Sequence, residues 1–266
     1  MNRLIKIELQ KVKSHTSFWV LSVLYLLILF AIFFSGKFFL DFLARKGESL
    51  GNIIDPSKIP VYEFPDVWHN ITYVAGFLKF ILAIYIIISI TNEISFGTLR
   101  QNIVNGLSRW DFLISKIFLV LLMSLGSTLF IMLIGFSLGF MYSSNIELGA
   151  IITYMEFLPG YMLQISTYLI FALFTGLLIK RTGLSMALLF LYTLIIEPII
   201  LFRIKVDWVK GLFPIKAMNN LIRFPFKKYA LREIQDYIAW QDTLIVFIYA
   251  VLLISLIYLI LKKRDL

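Results

Sequence analysis

Few side chains inside the apolar runs of this sequence could take part in chemistry. Lys79 lies within the second apolar run, and Glu197 lies near the end of the fifth, directly before Pro198. A lysine inside a membrane span is costly unless it reaches the interface or faces protein or water. Lys79 therefore either extends towards the interface or faces a translocation pathway. Glu197 either lines a polar cavity or is simply solvated, and Pro198 predicts a kink in its helix.

The residues that most enzymatic sites need are missing. The chain has no cysteine and only two histidines, His15 and His69, which excludes thiolate sites and imidazole clusters for a metal. Neither a G-x-x-x-x-G-K-[ST] loop nor an H-E-x-x-H motif occurs in the sequence. The spans also offer no clear pair of nucleophile and base. We predict no catalytic, cofactor-binding or metal-binding residues, and we predict that the chain itself is not an enzyme.

The composition is that of an integral membrane protein. The chain is 60% hydrophobic and its mean hydropathy is +0.87, so lipid is the solvent for most of it. The formal net charge is +9, and the cations flank the apolar runs, as in membrane proteins that contact anionic headgroups. This pattern predicts membrane lipids as partners and no nucleic acid.

Six apolar runs are long enough to cross a bilayer as helices. The predicted spans are about 18–36, 71–91, 110–142, 161–179, 183–202 and 243–261. The basic leader 1–17 is typical of an amphipathic helix in the interface plane, and a basic anchor that only sets orientation is the alternative. The long polar segment 203–242 is predicted to be an external region. We therefore predict an all-α integral membrane fold in which 1–266 form a single transmembrane domain.

A polar segment, 92–116, separates the second and third spans and carries helix signals of its own. Thr98 with Gln101 fits a capping box at the start of a short helix. Gly106 fits a left-handed stop at the end of that helix. We predict a short cytoplasmic helix over 97–107.

The short helix has one apolar face and is followed at once by another helix start. Leu99, Ile103 and Leu107 are spaced four apart and share that face. Ser108 with Asp111 fits a second capping box, which begins the third span. A rigid helix at the mouth of two spans can present a knob to a partner in the aqueous phase and pass the partner's motion to both spans. The alternative is an ordinary helical loop.

The orientation is decided by the leader. Six spans place both termini on one side, and the lysines and arginines outside the spans are divided 12 to 12 between the two sides. The first span usually dominates the choice of orientation, and its flanking segment is the basic amphipathic one. We therefore predict that both termini are cytoplasmic and that the protein lies in the inner or plasma membrane of the cell.

The sequence resembles the ABC-2-type permeases, which are the membrane subunits of type V ABC exporters. The layout of basic leader and six spans agrees with that family over the whole chain. The motifs that carry the resemblance are Glu93-x-x-x-Gly97-Thr98-Leu99-Arg100, Ser108-Arg109, Lys116 and the ending Lys263-Arg264-Asp265-Leu266. The resemblance implies a transmembrane permease subunit of an ATP-driven exporter, which forms the translocation path.

In that family the short helix would be the coupling helix that seats on a separate ABC ATPase subunit. The implied ATPase-coupling residues are Glu93, Leu99, Arg100, Ile103, Leu107 and Arg109. The three apolar residues would form the contact. The two arginines would lie near an acidic rim of the ATPase, and Glu93 would pair with one of them.

The resemblance also implies a second permease chain, so that the transporter is a homodimer or a heterodimer. The pattern Gly135-Phe-Ser-Leu-Gly139 in the third span permits close helix approach and agrees with such a contact.

Lys79 and Glu197 are the candidate pathway residues. Two other functions stay open: a non-transporting membrane scaffold or channel-like subunit, and an intramembrane enzyme that depends on Glu197.

Overall fold

The computed structural model describes residues 2–47, 60–104, 106–144, 146–226, 235 and 237–263. Within these residues the regular structure is entirely helical. The parts of the predicted external region at 227–234 and 236, and the last three residues of the ending, lie outside the described residues.

The helices follow the predicted runs, with two kinds of difference. The helix of the first span continues to Gly47, and the second and fifth spans are each interrupted. The bounds of the helices are α1 Asn2–Ser14, α2 Thr16–Gly47, α3 Val67–Gly76, α4 Lys79–Ser95, α5 Thr98–Val104, α6 Arg109–Tyr142, α7 Leu148–Ile152, α8 Phe157–Ile179, α9 Thr182–Leu191, α10 Glu197–Arg203, α11 Asp207–Lys210, α12 Pro214–Asn220 and α13 Trp240–Lys263. Five stretches are long and apolar enough to cross a membrane: Thr16–Gly36, α6, Leu148–Ile179, Thr182–Arg203 and α13. The pair α3 and α4 adds a sixth if it counts as one span.

The second span is broken, whereas the sequence predicts one helix over 71–91. Helices α3 and α4 meet at an angle of 44°. At the break, the N–H groups of Phe77 and Leu78 donate to carbonyls three residues back rather than four. Gly76 lies next to the Gln164 side chain, and a Cβ at this position would be 3.3 Å from Gln164 Oε1. The close approach of α8 therefore accompanies the bend.

The fifth span contains a π-helical turn, Tyr192–Ile196, between α9 and α10. This turn lies immediately before the Glu197-Pro198 pair, where the sequence predicts a kink. Proline has no N–H to continue the helical ladder, and its ring collides with the carbonyl four residues back. A widened turn relieves that collision, so the irregularity has the cause that the sequence indicates.

Helix α8 lies at the centre of the bundle and packs against α4, α6 and α13. Some of its buried hydroxyl groups bond to side chains of other helices. Tyr161, Tyr25 on α2 and Ser127 on α6 form a closed triangle, with oxygen–oxygen distances of 2.6 to 2.9 Å. Because hydrocarbon offers no hydrogen-bond partners, such mutual bonding is what allows polar side chains inside a membrane bundle.

The two glycines of the third span pack inside the chain. A Cβ at Gly135 would lie 2.5 Å from the Trp68 ring, and a Cβ at Gly139 would lie 2.2 Å from the Phe64 ring. These aromatic rings occupy the space that the missing side chains leave. The small-xxx-small pattern is therefore used to pack α6 against α3 and its leading loop, and it does not support the predicted contact with a second chain.

The beginning and end of the chain lie at the same end of the bundle. Glu8 on α1 contacts Lys116 on α6, and Arg109 at the start of α6 donates to the Lys262 carbonyl at 3.1 Å. At this end Thr91 on α4 and Thr182 on α9 also share a hydrogen bond of 2.7 Å. An even number of crossings gives this arrangement, in agreement with six spans.

Candidate functional site

Two polar sites lie at opposite ends of the bundle, and each is built around a buried lysine. The first contains Glu8, Lys11, Glu93 and Lys116 and is called the ion cluster below. The Lys116 ammonium donates to Glu8 at 2.6 Å and to Glu93 at 2.8 Å, and only 2% of Lys116 is exposed. Lys11 donates to the same oxygen of Glu93 at 2.8 Å. Two cations and two carboxylates make this cluster neutral.

The ion cluster joins three helices. Glu8 and Lys11 lie on α1, Glu93 is in the last turn of α4, and Lys116 is in the third turn of α6. A buried charge that loses its partner destabilises a protein strongly, so the three helices are held together as one unit. The ion pairs of the cluster connect α1, α4 and α6.

The pairing predicted for Glu93 is wrong. The sequence predicts a partnership with Arg100 or Arg109, whereas the described ion pairs of Glu93 go to Lys11 and Lys116. Arg100 is exposed on α5, and Arg109 reaches across to α13. Arg100 and Arg109 are closer to Glu93 in the sequence than Lys11 and Lys116 are. The packing of α1 against α6 brings nearer partners.

Sequence reasoning missed Glu8 and Lys11 as part of this site. The available signal was Glu8, the single acid in the otherwise basic leader 1–17. An acid among basic residues on an amphipathic helix indicates a specific buried cation. The pattern could not show that the cation would be Lys116, which lies more than 100 residues away in the chain.

Helix α5 has the end signal that its sequence predicts. Gly106 has a φ of +91°. Its N–H donates to the Ile103 carbonyl at 3.0 Å, while the Leu107 N–H donates to the Asn102 carbonyl at 3.0 Å. This pair of bonds is a Schellman motif, and it confirms Gly106 as the left-handed stop.

The N-cap bond of one predicted capping box is confirmed, and the other capping box is wrong. Ser108 Oγ accepts from the Asp111 N–H at 3.0 Å and starts α6 as predicted. Thr98, in contrast, donates its hydroxyl to the Glu93 carbonyl at 3.2 Å. It thereby connects α5 to the last turn of α4, and the positive φ of Gly97 supplies the sharp turn between the two helices.

The apolar face of α5 points inward, which corrects the predicted docking face. Leu99 is buried, with 2% exposure, and Ile103 and Leu107 pack against the same core. The spacing of four predicts that these residues share a face but not which surface the face meets. The exposed residues on and next to α5 include Phe96, Arg100 and Val104. Phe96 and Val104 are each 75% exposed.

The second site lies at the other end of the bundle, where α12 returns into the protein. Glu197 accepts hydrogen bonds from the backbone N–H groups of Ile215 and Lys216, at 3.1 and 2.6 Å. These are first-turn donors of α12, so the Glu197 carboxylate caps that helix. Glu197 is buried and lies outside the cavity lining, so neither alternative considered for it from the sequence describes its position.

Lys79 is bound at the opposite end of α12. Its ammonium donates to Asn219 Oδ1 at 2.9 Å and lies 4.9 Å from the centre of the Tyr168 ring. Gln164 on α8 donates to the same oxygen at 3.2 Å. Only 4% of Lys79 is exposed, so it does not extend to the interface. It lies on the wall of a cavity, and its predicted place on a translocation pathway stays a prediction.

The cavity between α12 and the spans has a volume of about 840 Å³. Its cations are Lys79, Lys216 and Arg223, and its aromatic walls include Phe77 and Phe80. Among the described residues, its lining contains no carboxylate. The structure thus brings Lys79 and Glu197 to the two ends of one short helix, α12. Of these two residues, only Lys79 lines the cavity.

A surface pair beside this site belongs to α11. Lys210 donates to Asp207 at 2.6 Å, and this bond holds the pKa of the exposed Asp207 carboxyl below its ordinary value. Neither residue lines the cavity. Across the described part of the chain, no cluster of histidine, cysteine, aspartate and glutamate has a geometry that would hold a metal ion.

No known family model matches the sequence, and no curated protein is significantly similar to it. The interpretation of the two sites therefore depends on their own geometry.

Proposed function

We propose that this chain is the membrane permease subunit of an ATP-driven exporter of the ABC-2 type, with α5 as its docking helix for a separate ATPase. The observation that carries the proposal is the placement of α5. It is a short helix that projects between two spans, with an exposed outer surface and a buried ion cluster directly behind it. This arrangement suits the transfer of force from a soluble partner to the spans.

The connection from α5 to the spans is stiff in both directions. Thr98 ties its first turn to the end of α4, and the Schellman motif with the Ser108 cap leads directly into α6. The ion cluster then fixes α4 and α6 to α1. A displacement of α5 would therefore move these three helices together rather than bend one loop.

The proposed docking face consists of Phe96, Arg100 and Val104. Arg100 and Val104 lie one turn apart on α5, Phe96 directly follows α4, and all three are exposed. An exposed pair of large apolar side chains around an arginine fits a groove with an apolar floor and an acidic rim. The ATPase supplies nucleotide binding and hydrolysis, since this chain has no phosphate-binding loop.

The complete transporter is proposed to contain two permease chains, as a homodimer or a heterodimer. The outer face of α2 exposes Val23, Leu27 and Phe30, and the fifth span exposes Leu188 and Ile195. These apolar surfaces face membrane lipids or the second permease. The glycine pair on α6 has no part in this contact, because its space is filled within the chain.

Both termini are proposed to be cytoplasmic, on the same side as α5 and the ATPase. Ser14 and Ser144 are exposed at opposite ends of the bundle and allow a test. In intact cells, a cysteine at Ser144 should react with an impermeant maleimide, and a cysteine at Ser14 should react only after permeabilisation. Reaction at Ser14 in intact cells would reverse the orientation and remove α5 from the ATP-containing compartment.

The docking proposal is tested by replacing Val104 with Asp. Because Val104 is exposed, the chain should insert and fold normally, while the new carboxylate enters the ATPase contact without a partner. We expect ATP hydrolysis that co-purifies with the chain to fall by at least about tenfold, as for a lost interface anchor.

The matched control is Val206→Asp, which places the same change on an exposed valine in the external region. It should leave the co-purifying hydrolysis unchanged. If Val104→Asp retains the hydrolysis of the parent chain, α5 is not the docking helix.

A further inference from the structure

The cavity beside α12 has cationic groups whose hydrogen-bonding capacity is not used. The Lys79 ammonium has three donors and makes one described hydrogen bond, to Asn219. The Lys216 side chain is exposed on the lining and makes no described ion pair. Arg223 is paired with Asp242 at 3.0 Å and contributes less. The cavity therefore has two available cations.

Among the residues that the structure describes, no carboxylate forms an ion pair with these two cations, although Glu197 is close enough to interact electrostatically with Lys79. Glu197 is directed at the backbone of α12 and does not line the cavity, and Asp242 is engaged by Arg223. Gln164 adds neutral polar capacity, because its buried Oε1 has no hydrogen-bond partner. A donor-rich site of this kind, with one free amide acceptor, fits an anionic group that also carries a hydroxyl or a protonated oxygen.

One wall of the cavity is apolar, while Thr193, Asn219, Gln235 and Gln241 add polar groups to the rest of its lining. Phe77 lies at the break of the second span and is 59% exposed, and Leu194 lies in the π-helical turn of the fifth span and is 62% exposed. Phe80 and Tyr73 continue the apolar wall inside. Both exposed residues belong to stretches that are long and apolar enough to cross a membrane, so we expect this side of the cavity to face hydrocarbon.

From this geometry we infer that the cavity binds an amphiphile with an anionic, phosphate-bearing headgroup. The headgroup lies between Lys79 and Lys216, with the Gln164 amide beside it, and the apolar chain leaves past Phe77 and Leu194. A volume of about 840 Å³ holds a headgroup and the first part of an acyl chain. A free phosphate ion would satisfy the cations but not the apolar side.

This inference deepens the proposed function, because it names the substrate class at the cavity of a permease. It is tested by binding alone, on the purified full chain without any ATPase. A chain that binds the amphiphile but recruits no ATPase would therefore refute the proposed function and leave this site intact.

The experiment is native mass spectrometry of the delipidated chain with phosphatidylglycerol, phosphatidylcholine or inorganic phosphate. We expect retention of phosphatidylglycerol and little of the other two. Lys216→Glu, an exposed change that should not affect folding, is expected to weaken phosphatidylglycerol binding by about tenfold, as for the loss of a charge-assisted bond. Lys79→Gln should weaken it to a similar extent.

The control is Lys205→Glu, which reverses an exposed charge in the external region outside the cavity lining and should leave binding unchanged. Three results would overturn the inference. They are unchanged binding in Lys216→Glu, equal retention of phosphatidylcholine, and retention of inorganic phosphate with no preference for the anionic lipid.

Discussion

Lys116 and Lys79 are buried to the same degree at opposite ends of this bundle, and their surroundings differ. Lys116 has two carboxylates within 2.8 Å and a third charged neighbour in Lys11. Lys79 has an amide oxygen at 2.9 Å and the face of an aromatic ring. Lys116 forms ion pairs with two carboxylates of its own chain, whereas Lys79 has no ion pair among the described residues and interacts with Glu197 only at longer range.

The difference separates a structural charge from a binding charge. A fully paired lysine binds its helices together and has little left for a ligand. A lysine with one neutral partner, on the wall of a cavity, keeps most of its attraction for an incoming anion. In the proposed function, the ion cluster holds the docking end together and the cavity binds the transported molecule.

The largest effect is expected when Lys116 is replaced by Met. Glu8 and Glu93 would then lose their buried cation and keep only the more exposed Lys11 as a partner, at a cost of about 3–5 kcal/mol. The measurement is thermal unfolding in detergent, followed by tryptophan fluorescence, beside the exposed control Lys205→Met. Adding Glu8→Gln and Glu93→Gln to the same chain should recover much of the loss. If Lys116→Met unfolds at the same temperature as the parent chain, the ion cluster does not stabilise the protein.

A smaller effect is expected for Glu197→Gln, which changes the cap of α12. The amide has one acceptor oxygen where the carboxylate uses two, so one first-turn N–H of α12 loses its partner. We expect a loss of about 1–3 kcal/mol of stability. The same unfolding measurement checks it, and a loss as large as that of Lys116→Met would mean that both ends depend equally on buried charge.

The smallest effect is expected for Lys79→Met, the same substitution at the other buried lysine. One hydrogen bond to Asn219 is lost, and an incompletely paired charge is removed from the interior, so stability should change by about 1 kcal/mol or less. Binding of the anionic lipid should nevertheless fall. If this variant unfolds as readily as Lys116→Met, the distinction between the two lysines is wrong.

The sequence predicts the apolar spans well, because length and hydropathy depend on local composition alone. It also predicts the Ser108 cap and the Gly106 stop, whose partners lie within a few residues. It could not predict the break at Phe77, which accompanies the packing of α8, or the pairing of Glu93 with Lys11. These features depend on which helices become neighbours.

The two pathway candidates illustrate the same limit. The sequence identifies Lys79 and Glu197 as unusual because charge is rare inside spans. It could not show that α12 would lie between them. It also could not show that Glu197 would accept hydrogen bonds from the backbone of α12 while Lys79 faces the cavity. The burial of Leu99 could not be predicted either, because the spacing of apolar residues on a helix does not show which surface they pack against.

The central claim, that the outer face of α5 contacts an ATPase, is tested most directly by site-specific photo-crosslinking. A benzophenone amino acid at Val104, with the same probe at Val206 as control, is activated in membranes that contain the intact complex. The account predicts a covalent adduct to a nucleotide-binding subunit from position 104 and none from position 206. Adducts to lipid alone at position 104, in membranes where the chain still supports ATP-dependent export, would contradict it.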